Sequence, residues 1–276
     1  MAVPAVLDFD RLLTPLNGDS LAASQWERAW QELRSLRHQA AAAEKLLAEP
    51  PDPDKRSDPT APAPDKFWRE IRESAESALE KQSKDLSVVA YLIDALARTD
   101  GFAGLRDGFK LATKLVALRG EGLVSANPAV ATAEDATPPA GHSPDELKQR
   151  AARLRREAVE RELGALASLN GRQRDGSLVV QIKKLPLTKA GGEQEFAHID
   201  YTDAKESIKS TSEPSRQRGQ AMRQALDEAA RKSSDDFLVG LRDTIAECCQ
   251  EFEALVDVLS ERSGLKPAEF TIVFPT

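Results

Sequence analysis

A run of apolar residues near the carboxyl end of the chain constrains the fold more than any other feature. The run, which we call the seam, consists of Leu238, Leu241, Ile245, Cys248, Phe252, Leu255 and Leu259. Its alternating steps of three and four predict a helix over about residues 235–263, roughly 40 Å long at 1.5 Å per residue. We expect the seam to pack against the preceding helix, around Met222, Leu226 and Ala229. Self-association of two chains through the seam is the alternative.

Residues 66–118 carry the apolar stripes of three successive helices. The stripe of the first helix consists of Trp68, Ile71, Ala75, Ala78 and Leu79. Gly101 and Gly104 are expected to shape the turn into the third helix, which we predict over about residues 104–118. The short connections between these helices predict a compact, antiparallel helical layer.

The sequence "QSKDL" marks the start of the central helix of this layer. Ser83 and Asp85 are both residue types that cap a first helical turn, and Lys84, Asp85 and Leu86 together are expected to hold the helix start in place. A buried ion pair between Lys84 and Asp85 is the alternative interpretation of these two charges.

Two segments divide the chain into predicted units. Residues 49–66 hold six prolines and no large aliphatic side chain before the next helix, which predicts an exposed loop. Residues 119–142 are rich in Gly, Ala, Pro and Thr and are predicted to link two domains. We therefore predict an amino-terminal helical domain over residues 1–118 and a second helical domain over residues 143–276.

The second predicted domain contains the segment whose residue pattern predicts a β-strand. A helix beginning at the capping sequence "SPDE" is predicted to end at Asn170 and Gly171. Leu178, Val180 and Ile182 then alternate with other residues, which favours a strand and a small β-hairpin over about residues 177–201. The predicted fold class is thus mainly α, with antiparallel helix layers in two subdomains and one small β-hairpin.

Charge and composition exclude several classes of partner. The net charge of −7 and the pI of about 5.3 disfavour nucleic acid, and no apolar run approaches the roughly 20 residues of a membrane span. Cys248 and Cys249 are adjacent and give no disulfide framework, which is typical of a reducing compartment. We expect a cytoplasmic protein without nucleic-acid binding or membrane insertion.

Residues suited to catalysis or metal binding do not converge in the sequence. His38, His142 and His198 lie far apart and without metal-ligand spacing, and the surroundings of Cys248 and Cys249 are too acidic to activate a thiol. Phosphate-loop and nucleophile-elbow motifs are absent from the sequence. We expect no catalytic residue, no metal and no cofactor, and we expect that the protein is not an enzyme.

Several motifs resemble the type VI secretion family called TssA or ImpA. They are "QSKDLSVVAYLIDALARTDGFAGLRDG" and "ALASLNGRQRDGSLVVQIKKLPLT", with the opening "LLTPLNGDS" and the ending "LSERSG" in the same order. The resemblance implies eight signature or structural positions, which are Trp68, Lys84, Asp85, Leu86, Gly101, Gly104, Asn170 and Gly171. Because the chain ends soon after "LSERSG", we expect it to be part of a longer protein.

The resemblance implies a non-enzymatic assembly protein of the bacterial type VI secretion system. Proteins of this family act in the cytoplasm on the baseplate, the Hcp tube and the contractile sheath, so these are the implied partners. Two other functions stay open. The first is a hydrolase or nucleotide-dependent enzyme with an unrecognised site, and the second is an unrelated adaptor that self-associates through Leu238, Leu241, Ile245, Phe252, Leu255 and Leu259.

Overall fold

The computed structural model describes residues 3–16, 23–48, 63–118, 144–170, 177–189 and 195–263. Over these residues the chain is mainly α-helical, as predicted. The helices are α1 (Phe9–Leu13), α2 (Ala23–Ala48), α3 (Pro64–Lys81), α4 (Leu86–Thr99), α5 (Gly101–Leu118), α6 (Pro144–Asn170), α7 (Ser177–Lys184), α8 (His198–Ile208), α9 (Glu213–Lys232) and α10 (Asp235–Ser263).

Helix α4 lies at the centre of the molecule. Every residue from Leu86 to Ala97 except Tyr91 is buried, as expected for a helix that is covered on all sides. Helices α2, α3, α5, α6 and α7 all contact α4. A polar side chain on α4 therefore needs hydrogen-bond or ion-pair partners, and neighbouring helices are placed to supply them.

The predicted strand at Leu178–Ile182 is wrong, because Ser177–Lys184 forms helix α7. Leu178 and Ile182 are four residues apart, so they lie on one helical face as well as on one strand face. Leu178 and Ile182 are both buried, and so is the adjacent Val179, which would face the opposite side of a strand. This burial pattern favours the helix. Of the predicted β-hairpin, the described residues keep a single antiparallel bridge between Pro186 and Ala197.

The seam packs on α5 rather than on the preceding helix α9. The rings of Phe109 on α5 and Phe252 on α10 lie 5.2 Å apart between centroids. Lys110 pairs with Glu251 at 3.3 Å beside this ring contact. The expected packing of the seam on α9 is therefore wrong.

Helix α9 packs instead on α8, the helix that precedes it in the chain. A Cβ atom on Gly219 of α9 would lie only 2.9 Å from the Ala204 carbonyl oxygen of α8. This approach requires a glycine and brings the two backbones close together.

Helices of both predicted domains contribute to one hydrophobic core. The core cluster includes Leu12 and Leu96 from the first predicted unit, and Leu163, Leu178 and Leu255 from the second. The division of the chain at residues 119–142 stays a prediction, since residues 119–143 lie outside the described part.

Candidate functional site

The start of α4 holds Asp85 in the capping position that the sequence predicts. The Asp85 carboxylate accepts a hydrogen bond from the Ser87 amide at 2.7 Å, which satisfies one of the free N–H groups of the first turn. The Leu86 amide donates to the Glu162 carboxylate of α6 at 3.0 Å. Arg161, also on α6, pairs with Asp85 at 3.6 Å. This capping network ties the central helix to α6.

Lys84 connects the same region to α1 and α3. Its ammonium group donates to the carbonyl oxygens of Leu12 and Leu79, both at 2.6 Å. Burial lowers the pKa of Lys84, an effect that the nearby Glu80 carboxylate opposes. Lys84 thus holds three helices together at the start of α4.

The two predicted glycines have different structural roles. Gly101 has a φ of +60°, a left-handed conformation that glycine adopts without strain, and it begins α5 directly after Asp100. Helix α5 therefore begins three residues earlier than predicted. Gly104 lies inside the helix, where a Cβ atom would stand 2.4 Å from the Leu96 carbonyl oxygen of α4. Gly104 allows α4 and α5 to pack closely.

Asn170 is the last described residue of helix α6, so the predicted helix stop at Asn170 and Gly171 stays a prediction. Gly171 lies outside the described residues.

The predicted seam residues differ in their burial. Cys248, Phe252, Leu255 and Leu259 are buried, while Leu238, Leu241 and Ile245 in the amino-terminal half of α10 are half-buried. Burial raises the pKa of the Cys248 thiol far above its usual value, and the adjacent Cys249 raises it further. Cys248 therefore stays protonated and acts as an apolar core residue.

Trp68, the remaining predicted residue, lies in the wall of a polar cleft. The indole Nε1 of this buried side chain donates to the Glu44 carboxylate at 2.8 Å. The Arg98 guanidinium lies over the Trp68 ring, 3.9 Å from its centroid, a distance suited to a cation–π contact. Trp68 thus contacts both a carboxylate and a guanidinium group of this cleft.

Asp94 lies at the base of the cleft and is fully buried. Its carboxylate accepts hydrogen bonds from Arg98 Nη1 at 2.5 Å and from Arg37 Nη2 at 3.0 Å. The Ser177 hydroxyl lies 3.2 Å from both carboxylate oxygens. An unpaired buried carboxylate would be strongly unfavourable, and these three partners compensate the burial of the Asp94 side chain.

The partners of Asp94 are themselves held in place. Arg98 also donates to Glu44 at 2.6 Å, and Arg37 lies 4.9 Å from the centroid of the Tyr91 ring. Burial disfavours the charged form of Arg98, but the attraction of Asp94 and of Glu44 outweighs it, so the pKa of Arg98 is raised. The cleft therefore has rigid, charged walls.

The open space of the cleft is about 150 Å³. Arg34 and His38 also line it, and both are exposed, so they form its mouth. Among the described residues, Arg34 forms neither an ion pair nor a hydrogen bond through its side chain. The mouth thus presents a guanidinium group with unused donors.

Sequence reasoning singled out Trp68 but missed the rest of this cleft. One signal was present: Asp94 interrupts the apolar run "VVAYLIDALA", and Arg98 follows it by one helical turn. An acid on an otherwise apolar helix needs a buried partner. The second partner, Arg37, is 57 residues away, and no local pattern reveals it.

Across the described residues, no group of three or more His, Cys, Asp or Glu side chains is placed to hold a metal ion. Within the same ranges, no helix has the length and apolar character needed to cross a bilayer.

Comparisons with known proteins identify the family. Residues 13–155 match the family model described as ImpA, N-terminal, type VI secretion system. The fold resembles a solved structure, the N-terminal domain including the conserved ImpA_N region of the TssA component of the type VI secretion system from Burkholderia cenocepacia. That likeness has a TM-score of 0.58 and 20% sequence identity, over 95% of this chain and 87% of the other. No curated protein matches the sequence. Since the family match spans more than half of the 276 residues, the chain belongs to the ImpA N-terminal family of type VI secretion system proteins, as its motifs predicted.

Proposed function

We propose that this protein is a non-enzymatic scaffold that helps to prime the baseplate and to assemble the tail tube and sheath of a type VI secretion system. The family match over residues 13–155 is the observation that carries this proposal. All of the cleft-lining residues except Ser177 lie within this segment. The partners that we propose are baseplate, Hcp tube and sheath proteins, bound through protein–protein contacts in the cytoplasm.

The proposed organisation has two parts joined by residues 119–142. Residues 1–118 would form the first helical domain, and residues 143–276 the second. Leu238, Leu241 and Ile245 are the seam positions that keep some exposed surface for self-association; Leu241 and Ile245 also pack against the core, and the other seam residues are buried. A homo-oligomer would use this half of α10.

The test is the mass of the purified chain, alone and with candidate partners. Light scattering after size-exclusion chromatography is applied to the chain mixed in turn with Hcp, sheath and baseplate proteins. Co-elution with one of them at a defined ratio is the expected result and names the partner. If the chain elutes separately from all three, this segment does not recruit tail components and the proposal is wrong.

A further inference from the structure

The cleft at Asp94 is too small for a cofactor but large enough for one side chain. Its volume of about 150 Å³ falls well below the roughly 300–1,000 Å³ of typical small-molecule sites. A carboxylate on a short side chain fits such a space, whereas a nucleotide does not. The size of the cleft therefore selects a single functional group.

The charge of the cleft selects an anion. Three guanidinium groups, from Arg34, Arg37 and Arg98, line it together with the carboxylates of Glu44 and Asp94. The cleft thus carries an excess of positive charge on a chain whose net charge is −7. An anionic group that enters the cleft meets a local field opposite to that of the whole protein.

The arginines differ in how much of their hydrogen-bonding capacity is used within the fold. Arg98 is occupied by Asp94 and Glu44, and Arg37 directs Nε and Nη2 to Asp94. A network that only stabilises Asp94 needs no further cation. Arg34 and His38, which are four residues apart on one face of α2, add donors at the mouth that Asp94 does not use. These donors point to a ligand from outside the fold.

We propose that the cleft receives a single carboxylate side chain carried by a partner protein, with Arg34 and His38 as its first contacts. This inference rests on the proposed scaffold function, because a tail component would supply the carboxylate. Arg37, Arg98 and Trp68 are already held by contacts within the fold, so the entropic cost of binding falls on the exposed Arg34 and His38 side chains.

The first test uses two capped pentapeptides of alanine, one with glutamate and one with glutamine at the centre. The side-chain Nε–H signals of Arg34 and Arg98 are followed by NMR during each titration. We expect the glutamate peptide to shift both signals saturably and the glutamine peptide to leave them unchanged. Equal shifts from both peptides, or no saturable shift up to about 10 mM, would overturn the proposal.

Two matched variants on α2 show whether the mouth makes the contact. Arg34→Gln should weaken binding of the glutamate peptide by about fivefold, the effect of one exposed ion pair. Arg28→Gln removes an exposed arginine of the same helix that does not line the cleft, and it should leave binding unchanged. Both variants should keep the melting temperature of the parent. Equal dissociation constants for parent and Arg34→Gln would contradict the assignment.

A third titration, with inorganic phosphate, separates a protein-borne carboxylate from a free anion. Weaker binding of phosphate than of the glutamate peptide supports the proposal. Tighter binding of phosphate would make the cleft a site for a small free anion and would overturn it.

Failure of this inference can be distinguished from failure of the scaffold function. If a tail protein co-elutes equally with the parent and with Arg34→Gln, the scaffold function stands and the cleft is not the contact. If the glutamate peptide binds while no tail protein co-elutes, the cleft is a carboxylate site and the scaffold function is wrong.

Discussion

At the residue scale, small side chains and buried charges determine how the helices fit together. Gly104 brings α5 against the Leu96 carbonyl oxygen of α4, at a distance where no Cβ atom fits. Asp94 gathers Arg37, Arg98 and Ser177 around one carboxylate. Each of these residues contacts a neighbouring helix. A substitution there therefore affects the packing between helices as well as the stability of its own helix.

The substitution Gly104→Ala should lower the free energy of unfolding by about 2 kcal/mol, because the new methyl group forces two backbones apart. Gly164→Ala is the matched control, since no atom beyond the neighbouring backbone of its own helix α6 lies within 4 Å of the position where its Cβ would stand. Alanine at that position should raise stability by about 0.7 kcal/mol through helix propensity. Urea unfolding measures both values. Equal effects of the two substitutions would contradict the close approach of α4 and α5.

At the element scale, the seam of α10 has a partner inside the same chain. Phe252 packs on Phe109, and beside it Arg106 of α5 pairs with Glu247 of α10 at 3.1 Å. The regular spacing that is typical of a coiled coil here joins helices that are more than a hundred residues apart. Helix α10 therefore stabilises the amino-terminal helical layer.

The substitution Phe252→Ala should lower the free energy of unfolding by about 3 kcal/mol, as expected for the loss of a buried aromatic ring. Val239→Ala removes methyl groups from an exposed position on the same helix and should change stability by less than about 0.5 kcal/mol. The two values come from urea unfolding, and light scattering gives the mass. A Phe252→Ala protein of unchanged stability but lower mass would show that the seam joins two chains instead.

At the scale of the whole molecule, charged side chains fasten the amino-terminal segment to the helices. The buried carboxylate of Asp107 accepts from the Val6 and Leu7 amides at 2.5 and 3.2 Å. Arg106 donates to the Val3 carbonyl oxygen at 2.6 Å. The Val3 amide lies 3.3 Å from the hydroxyl of Thr244, which is 241 residues away on α10. The first described residues thus hydrogen-bond to both α5 and α10.

The substitution Asp107→Asn should lower the free energy of unfolding by about 2 kcal/mol, because the Val6 and Leu7 amides lose a charged acceptor and Arg106 keeps only Glu247 as an ion-pair partner. Asp227→Asn breaks an exposed ion pair with Arg223 and should leave the free energy of unfolding nearly unchanged. Hydrogen exchange at the Val6 and Leu7 amides adds a local readout and should become faster only in Asp107→Asn. Unchanged exchange at these amides would show that Asp107 does not hold the segment.

The sequence alone determined the helical class, the capped start of α4 and the family. Apolar residues at steps of three and four, and Asp85 before the central helix, are local signals that act within a few residues. The motifs around these positions also carried the resemblance that the family match confirms. Local spacing is sufficient here because a helix forms its backbone hydrogen bonds within its own segment.

Only the tertiary structure decided which faces meet. The run from Leu178 to Ile182 fits either a strand or a helix, and burial on both sides of Val179 selects the helix. The seam fits any apolar partner of matching shape, and α5 rather than α9 provides it. The cleft depends on Arg37 reaching Asp94 across 57 residues. Such contacts arise from packing between distant segments, and the spacing of residues along a single helix carries no information about them.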